Sequence, residues 1–278
     1  MGSSLRHDTT ARIVEGRYVQ PIAACLSVPD RTLSVYGYQN DCQAHVWLPG
    51  LPRNALRQLM NTLFDMPYES LPEQLPVFPL TGAVLLPRCR LPLNIFETRY
   101  LEMTEDSLAS DRLIGMVQPV NVESGDREPA LFRTGCAGRI TSFSETDDGR
   151  ILIILTGVSR FDVEEELDVD THYRQIIPAW EAYRPDLTEP EDGNIDRERL
   201  YASLRVYFET RDFDTDWELL QEATDESLIN SLVMSCPFDP TEKQSLLEAH
   251  GLDERTRLMS SLLDMAALRR ATSELSLH

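Results

Sequence analysis

The sequence predicts an α+β protein in which a strand-rich region is followed by a helical bundle. Three observations carry this reading. Apolar and polar side chains alternate from Leu75 to about Tyr183, with one clear hairpin, and apolar stripes at helical spacing run beyond Asn194. Between them lies Arg184-Pro-Asp-Leu-Thr-Glu-Pro-Glu-Asp-Gly-Asn194, whose two prolines, glycine and acidic residues read as a linker. The expected division is residues 1–72 as an N-terminal extension, 73–188 as the β region and 189–278 as the helical region.

The extension comes first. Arg31–Tyr36 alternates at the period of a half-buried strand, and Gln43–Leu48 can pair with it across Asn40-Asp41. Leu56, Leu59, Met60 and Leu63 then form one helix stripe. In the β region, Leu75–Leu80 and Ala83–Pro87 read as short strands whose prolines place them at edges or bends. A helix should start at Asn94, with Glu97 completing a capping box and Phe96, Tyr100 and Met103 along one face. Leu113–Gln118 returns to strand. The hairpin joins Gly138–Phe143 to Arg150–Thr156 through Asp147-Asp148-Gly149, since Gly accepts positive φ and Asp tolerates it.

In the helical region Leu200, Leu204, Tyr207 and Phe208 form one stripe, and Leu228, Ile229, Leu232 and Val233 another. Asp239-Pro240-Thr241-Glu242 has an N-cap, a first-turn proline and an N3 glutamate in order. Gly251 is expected to end that helix at its C′ position. Leu258, Leu262 and Met265 line the last helix, with Arg269 and Arg270 near the negative end of its dipole.

Composition narrows the function. Of 278 residues, 42% are hydrophobic and 26% charged, and the mean hydropathy of -0.29 fits a soluble globular chain. The formal net charge is -20, carried entirely beyond residue 70, and such a surface repels nucleic-acid phosphates. The most apolar uninterrupted run, Ile151–Leu155, is far shorter than the ~20 residues of a bilayer span, so no membrane is expected and the cytoplasm is. The five cysteines, Cys25, Cys42, Cys89, Cys136 and Cys236, are irregularly spaced without a C-x-x-C pair and read as reduced thiols.

Several chemistries are excluded by motif. Lys243 is the only lysine, and no glycine-rich loop precedes it, so a phosphate-cradling P-loop is absent. No G-x-S-x-G, H-E-x-x-H or G-x-G-x-x-G occurs. Cys42 and His45, with Cys25, lack the fourth ligand of a zinc site and read as ordinary strand residues; no metal or cofactor is expected. Cys136 near Arg139 has two readings, a thiolate favoured by the cation or a small packed hydrophobe, the second being preferred. Lys243 reads as an exposed helix position.

Leu75-Pro-Val-Phe-Pro-Leu80, the proline-ended Ala83–Pro87 and Leu91-Pro-Leu-Asn-Ile-Phe-Glu-Thr-Arg-Tyr100 together resemble the opening signature of the Lon protease N-terminal domain. The resemblance continues through Ile114–Gln118, Gly135–Ile140 and Leu155-Thr-Gly-Val-Ser-Arg-Phe161, covering roughly 73–270, as in stand-alone Lon-substrate-binding-domain proteins. It implies a PUA-like, partly open β-barrel with an inserted helix, then a helical subdomain. In full Lon proteases the region helps recognise damaged or unfolded polypeptide and helps assemble the hexamer. That protease's Ser–Lys dyad has no counterpart, because Lys243 belongs to a capped helix.

The expectation is therefore a non-enzymatic module that binds polypeptide clients, adaptor-like. RNA binding is the alternative, suggested by the PUA-like barrel alone and opposed by the net charge. Phe96, Arg99, Tyr100 and Met103 are the candidate binding residues. They carry two readings: an apolar groove for an extended peptide, or a helix face plugging the barrel with Glu97 capping and Arg99 paired to a carboxylate.

Overall fold

The Asp147-Asp148-Gly149 turn is closed by hydrogen bonds from Thr146 N to Arg150 O (2.9 Å) and from Gly149 N to Thr146 O (3.0 Å), with Gly149 at φ +78°. A computed structural model describes residues 12–14, 17–19, 66–120, 129–188, 195–211 and 217–275. The strands and helix expected within 31–63 lie outside these residues. Arg12–Val14 (β1) and Arg17–Val19 (β2) form a short antiparallel pair.

A six-stranded mixed sheet carries the middle of the chain. Its strands are β3 (Leu75–Pro79), β4 (Arg90–Ile95), β5 (Leu113–Val117), β6 (Thr134–Glu145), β7 (Ile151–Leu167) and β8 (Gln175–Ala179). The order is β4-β7-β6-β5-β3-β8, and β8 also pairs with the second half of β7. Pairing therefore returns on itself through β7, β6, β5, β3 and β8, which leaves β4 outside the circuit on the first half of β7. Only β3 and β5 run parallel.

The expected strand over Ala83–Pro87 does not form. Ala83, Val84, Leu85 and Leu86 are buried as an irregular segment that crosses the sheet. Gly157 on β7 explains how the segment fits. A β-carbon there would lie 2.0 Å from Leu86 O, and the Gly157 backbone bonds Arg88 N and Cys89 O instead, each at 2.8 Å. Only glycine permits that approach. Val158 is an extra residue opposite the Ala137/Gly138 step, a bulge that bends β7 there.

One helix, α1 (Thr98–Ala109), interrupts the strands, and it starts four residues later than expected. Asn94 is held in β4 opposite Leu152, so the ladder keeps its backbone extended. The N-cap is Glu97, and its side chain makes no capping bond. Tertiary pairing has overridden the local capping signal.

Five helices follow: α2 (Arg197–Arg211), α3 (Trp217–Glu222), α4 (Asp225–Ser235), α5 (Pro240–Glu248) and α6 (Leu252–Leu275). Leu200, Leu204, Tyr207 and Phe208 are buried, as are Leu228, Ile229, Leu232 and Val233. The capping box at Asp239 and Glu242 forms. On α6 the buried apolar residues are Met259 and Leu263, whereas Met265 is exposed, so the inward face is rotated from the expected stripe.

Gly251 does not act as a left-handed cap. Helix α5 stops at Glu248 with Ala249 as C-cap. Its terminal carbonyls are met from the sheet: Arg160 Nη1 donates to Leu247 O (3.0 Å) and Ala249 O (2.7 Å). A guanidinium at a helix C-terminus both satisfies orphan carbonyls and opposes the dipole. Gln118 adds a second tie, donating to Pro240 O (3.0 Å) at the other end of α5. One hydrophobic cluster accordingly joins Phe78, Leu85 and Met103 to Leu204, Leu232 and Leu263.

Lys243 is buried, contrary to its reading as an exposed position, and its Nζ donates to Met234 O at 3.0 Å. Its long stem fills the seam between α4 and α5 while the ammonium serves a helix-terminal carbonyl. Cys89, Cys136 and Cys236 are buried free thiols.

Candidate functional site

The four sequence-selected residues separate at the start of α1. Tyr100 and Met103 face inward: Met103 is 0% exposed, and Tyr100 packs on Phe78 with ring centroids 4.2 Å apart. Phe96 precedes the helix and is 64% exposed, so the expected Phe96–Tyr100–Met103 stripe is not one face. Arg99 donates to Glu97 Oε2 from Nε (3.1 Å) and Nη2 (2.9 Å), and its guanidinium sits 4.5 Å from the Tyr100 ring centre. Burial raises the Tyr100 hydroxyl above its ordinary range.

What the sequence did not reveal is the partner of this helix, the turn joining β7 to β8. Tyr173 donates its hydroxyl to Asp106 Oδ2 at 2.8 Å, and His172 Nδ1 lies 2.6 Å from Glu102 Oε2. Two consecutive turn residues thus grip α1 at positions 102 and 106, one helical turn apart. Within the turn, Thr171 Oγ1 donates to Tyr173 O at 2.8 Å. Burial and the Asp106 bond push the Tyr173 hydroxyl up to about 12, so it remains a donor at any physiological pH.

Two small clefts open beside Tyr173, which walls both. One, about 140 Å³, lies at the N-terminal end of α1 among Pro79, Arg99, Tyr100, Leu167 and Val169. The other, about 200 Å³, lies towards the C-terminal end among Pro76, Asp106, Ser110, Asp111 and Gln175. Pockets for cofactors and drug-sized ligands run ~300–1,000 Å³, so each cleft suits a single side chain. The first contains both Arg99 and Tyr100, the part of the sequence-based site that shares one surface.

Charge around the clefts is mostly negative. Glu164, Glu165, Glu166, Asp168 and Asp170 lead into the turn. Arg174, the basic residue closing the turn, is held by Glu166 through Nε (2.5 Å) and Nη2 (2.6 Å).

Other candidates fall away for physical reasons. Cys136 and Arg139, three residues apart on β6, point to opposite faces. Burial drives the Cys136 thiol far above its ordinary pKa, so the activated-thiolate reading is overturned. Cys25, Cys42 and His45 lie outside the described residues. Among the described residues, no group of three or more His, Cys, Asp or Glu gathers in a metal-holding arrangement. No helix there is long and apolar enough to cross a membrane.

Comparison with known proteins agrees with the sequence resemblance. The family model for the ATP-dependent protease La (LON) substrate-binding domain matches residues 74–265. A Lon protease of Flavobacterium johnsoniae is 26% identical over 196 residues, spanning 69% of this chain and 24% of the relative. A Lon protease of Parabacteroides distasonis is 29% identical over 202 residues, 70% of this chain and 24% of that protein. The chain thus spans about a quarter of the length of the curated relatives it matches. Among solved structures, a Lon N-terminal domain protein from Xanthomonas campestris superposes with a TM-score of 0.50 at 23% identity, over 68% of this chain and 97% of that one. By the motifs of residues 75–161, the mixed sheet with its helices, and the family match over 74–265, the chain belongs to the LON substrate-binding domain family.

Proposed function

We propose that this chain is a non-catalytic, adaptor-like module that binds exposed segments of unfolded or client polypeptides. The observation that carries the reading is the pair of side-chain-sized clefts along α1, inside the region matched by a family described as substrate-binding. An extended chain presents side chains one at a time, and a surface with small separate recesses suits that better than a single cofactor-sized cavity. Arg99 and Tyr100 wall one recess, Met103 supports it from the core, and Phe96 adds an exposed ring nearby. The returning strand circuit supports reading the sheet as a PUA-like barrel.

The missing nucleotide and peptidase motifs support a role without turnover. The net charge of -20 favours polypeptide over RNA.

Binding of a fluorescent, permanently unfolded polypeptide to the purified chain, followed by anisotropy, tests the reading. The expected affinity is of order micromolar, about 8 kcal/mol, and single-stranded RNA should not compete. Neither ATP nor an unfolded protein should be hydrolysed. Absence of polypeptide binding at several hundred micromolar, or tight RNA binding at physiological salt, would overturn it.

A further inference from the structure

The two clefts differ in chemistry. At the N-terminal cleft, Pro79, Tyr100, Leu167 and Val169 supply apolar surface, and Arg99 and Arg174 are already engaged by Glu97 and Glu166. The C-terminal cleft holds two carboxylates, Asp106 and Asp111, and no basic residue. Asp106 accepts one hydrogen bond from Tyr173, and neither carboxylate is ion-paired among the described residues. An apolar recess and an anionic recess therefore sit on either side of one tyrosine.

Their separation is set by the helix. From residues 99–100 to residues 106–111 an α-helix rises roughly 10–15 Å at about 1.5 Å per residue. An extended chain covers that distance in about three to four residues, at roughly 3.3 Å each. Resting on the polypeptide-binding reading above, we propose that the α1 clefts form a two-subsite groove for an extended segment carrying an apolar side chain and, three or four residues away, a lysine or arginine. The apolar side chain enters between Tyr100 and Val169, and the cation meets Asp106 and Asp111. The acidic run Glu164–Asp170 extends the same preference outside the groove.

The test uses the full chain and four fluorescent 12-residue peptides on a Gly/Ser background: phenylalanine and lysine four apart, lysine replaced by glutamate, phenylalanine replaced by serine, and the two residues adjacent. Asp111→Asn probes the anionic recess; Asp111 is exposed beyond the C-terminal end of α1, where loss of a negative charge does not oppose the helix dipole. Val169→Asp probes the apolar recess, and circular dichroism checks that both variants are folded. The parent peptide should bind best. The glutamate peptide should bind at least tenfold more weakly to the unchanged chain, and that difference should shrink to under threefold in Asp111→Asn. Val169→Asp should weaken the parent peptide while leaving the lysine-to-glutamate ratio unchanged. If the parent peptide binds but charge, spacing and Asp111→Asn make no difference, polypeptide binding stands and the two-subsite groove is refuted. If neither these peptides nor an unfolded polypeptide binds, both readings fail.

Discussion

Arg160 and Asp186 form a buried bidentate ion pair, with Nε and Nη2 of the arginine donating to the two carboxylate oxygens at 2.8 and 2.9 Å. Asp186 also accepts from the Arg160 backbone N at 3.0 Å, and the guanidinium lies 4.7 Å from the Tyr183 ring centre. The remaining guanidinium nitrogen reaches the end of α5. Asp186→Ala should therefore strand a buried cation and lower stability by about 3–5 kcal/mol. Replacing both residues by apolar ones of similar volume should recover part of that loss, though the α5 carbonyls lose their donor. Urea unfolding of the single and double variants gives the comparison.

Lys243→Ala should lower stability by about 2–3 kcal/mol, because it opens a cavity and removes the donor to Met234 O. Lys243→Met should cost less, since its stem fills much of the same space. A loss within 0.5 kcal/mol for the alanine variant, measured by the same denaturation, would contradict the buried placement.

Two glycines should respond differently to alanine. Gly157→Ala pushes a β-carbon to 2.0 Å from Leu86 O and should abolish cooperative folding or cost several kcal/mol. Gly149→Ala meets nothing within 4 Å, but takes on a φ of +78°, so its cost should be about 1 kcal/mol. Thermal melts of the two proteins decide the point.

Alkaline pH should weaken the fold through Tyr173. Its folded pKa is raised to about 12 from the ordinary 10.0, so the neutral form is favoured in the native state. The resulting stability is fully present below pH 10 and is lost as pH rises towards about 12. Tyr173→Phe should be less stable at neutral pH by about 1 kcal/mol, through loss of the Asp106 bond, and should show a shallower alkaline decline. A pH series of urea midpoints tests both halves of the statement.

Local signals were legible in the sequence wherever the residues that decide a feature are neighbours in the chain. The Asp-Gly hairpin, the Asp239–Glu242 capping box and the Leu200–Phe208 stripe need only a few adjacent side chains. Features decided by distant partners were not legible. Asn94 looks like a helix cap until Leu152 claims its backbone, and Ala83–Leu86 looks like a strand until it crosses Gly157. Lys243, as the lone lysine of an acidic chain, looks exposed, yet it is buried against Met234. The α1 site was half visible: Arg99 and Tyr100 were selected, but Tyr173 and Asp106, 67 residues apart, announce themselves by no motif. Arg160 likewise meets partners 26, 87 and 89 residues away.

The returning strand circuit bears on how the chain is made. β3 pairs with β8 through Leu75 and Ile176, so the first strand of the circuit waits about 100 residues for its antiparallel neighbour. During synthesis, β3, β5, β6 and β7 emerge before β8 exists, leaving one side of β3 and the Asp162–Leu167 half of β7 without their ladder partner. The α1 grip belongs to the same late event, because His172 and Tyr173 lie just ahead of β8. A nascent chain halted before residue 175 thus carries an open sheet and an unassembled groove together, and both are completed by the same few residues leaving the ribosome.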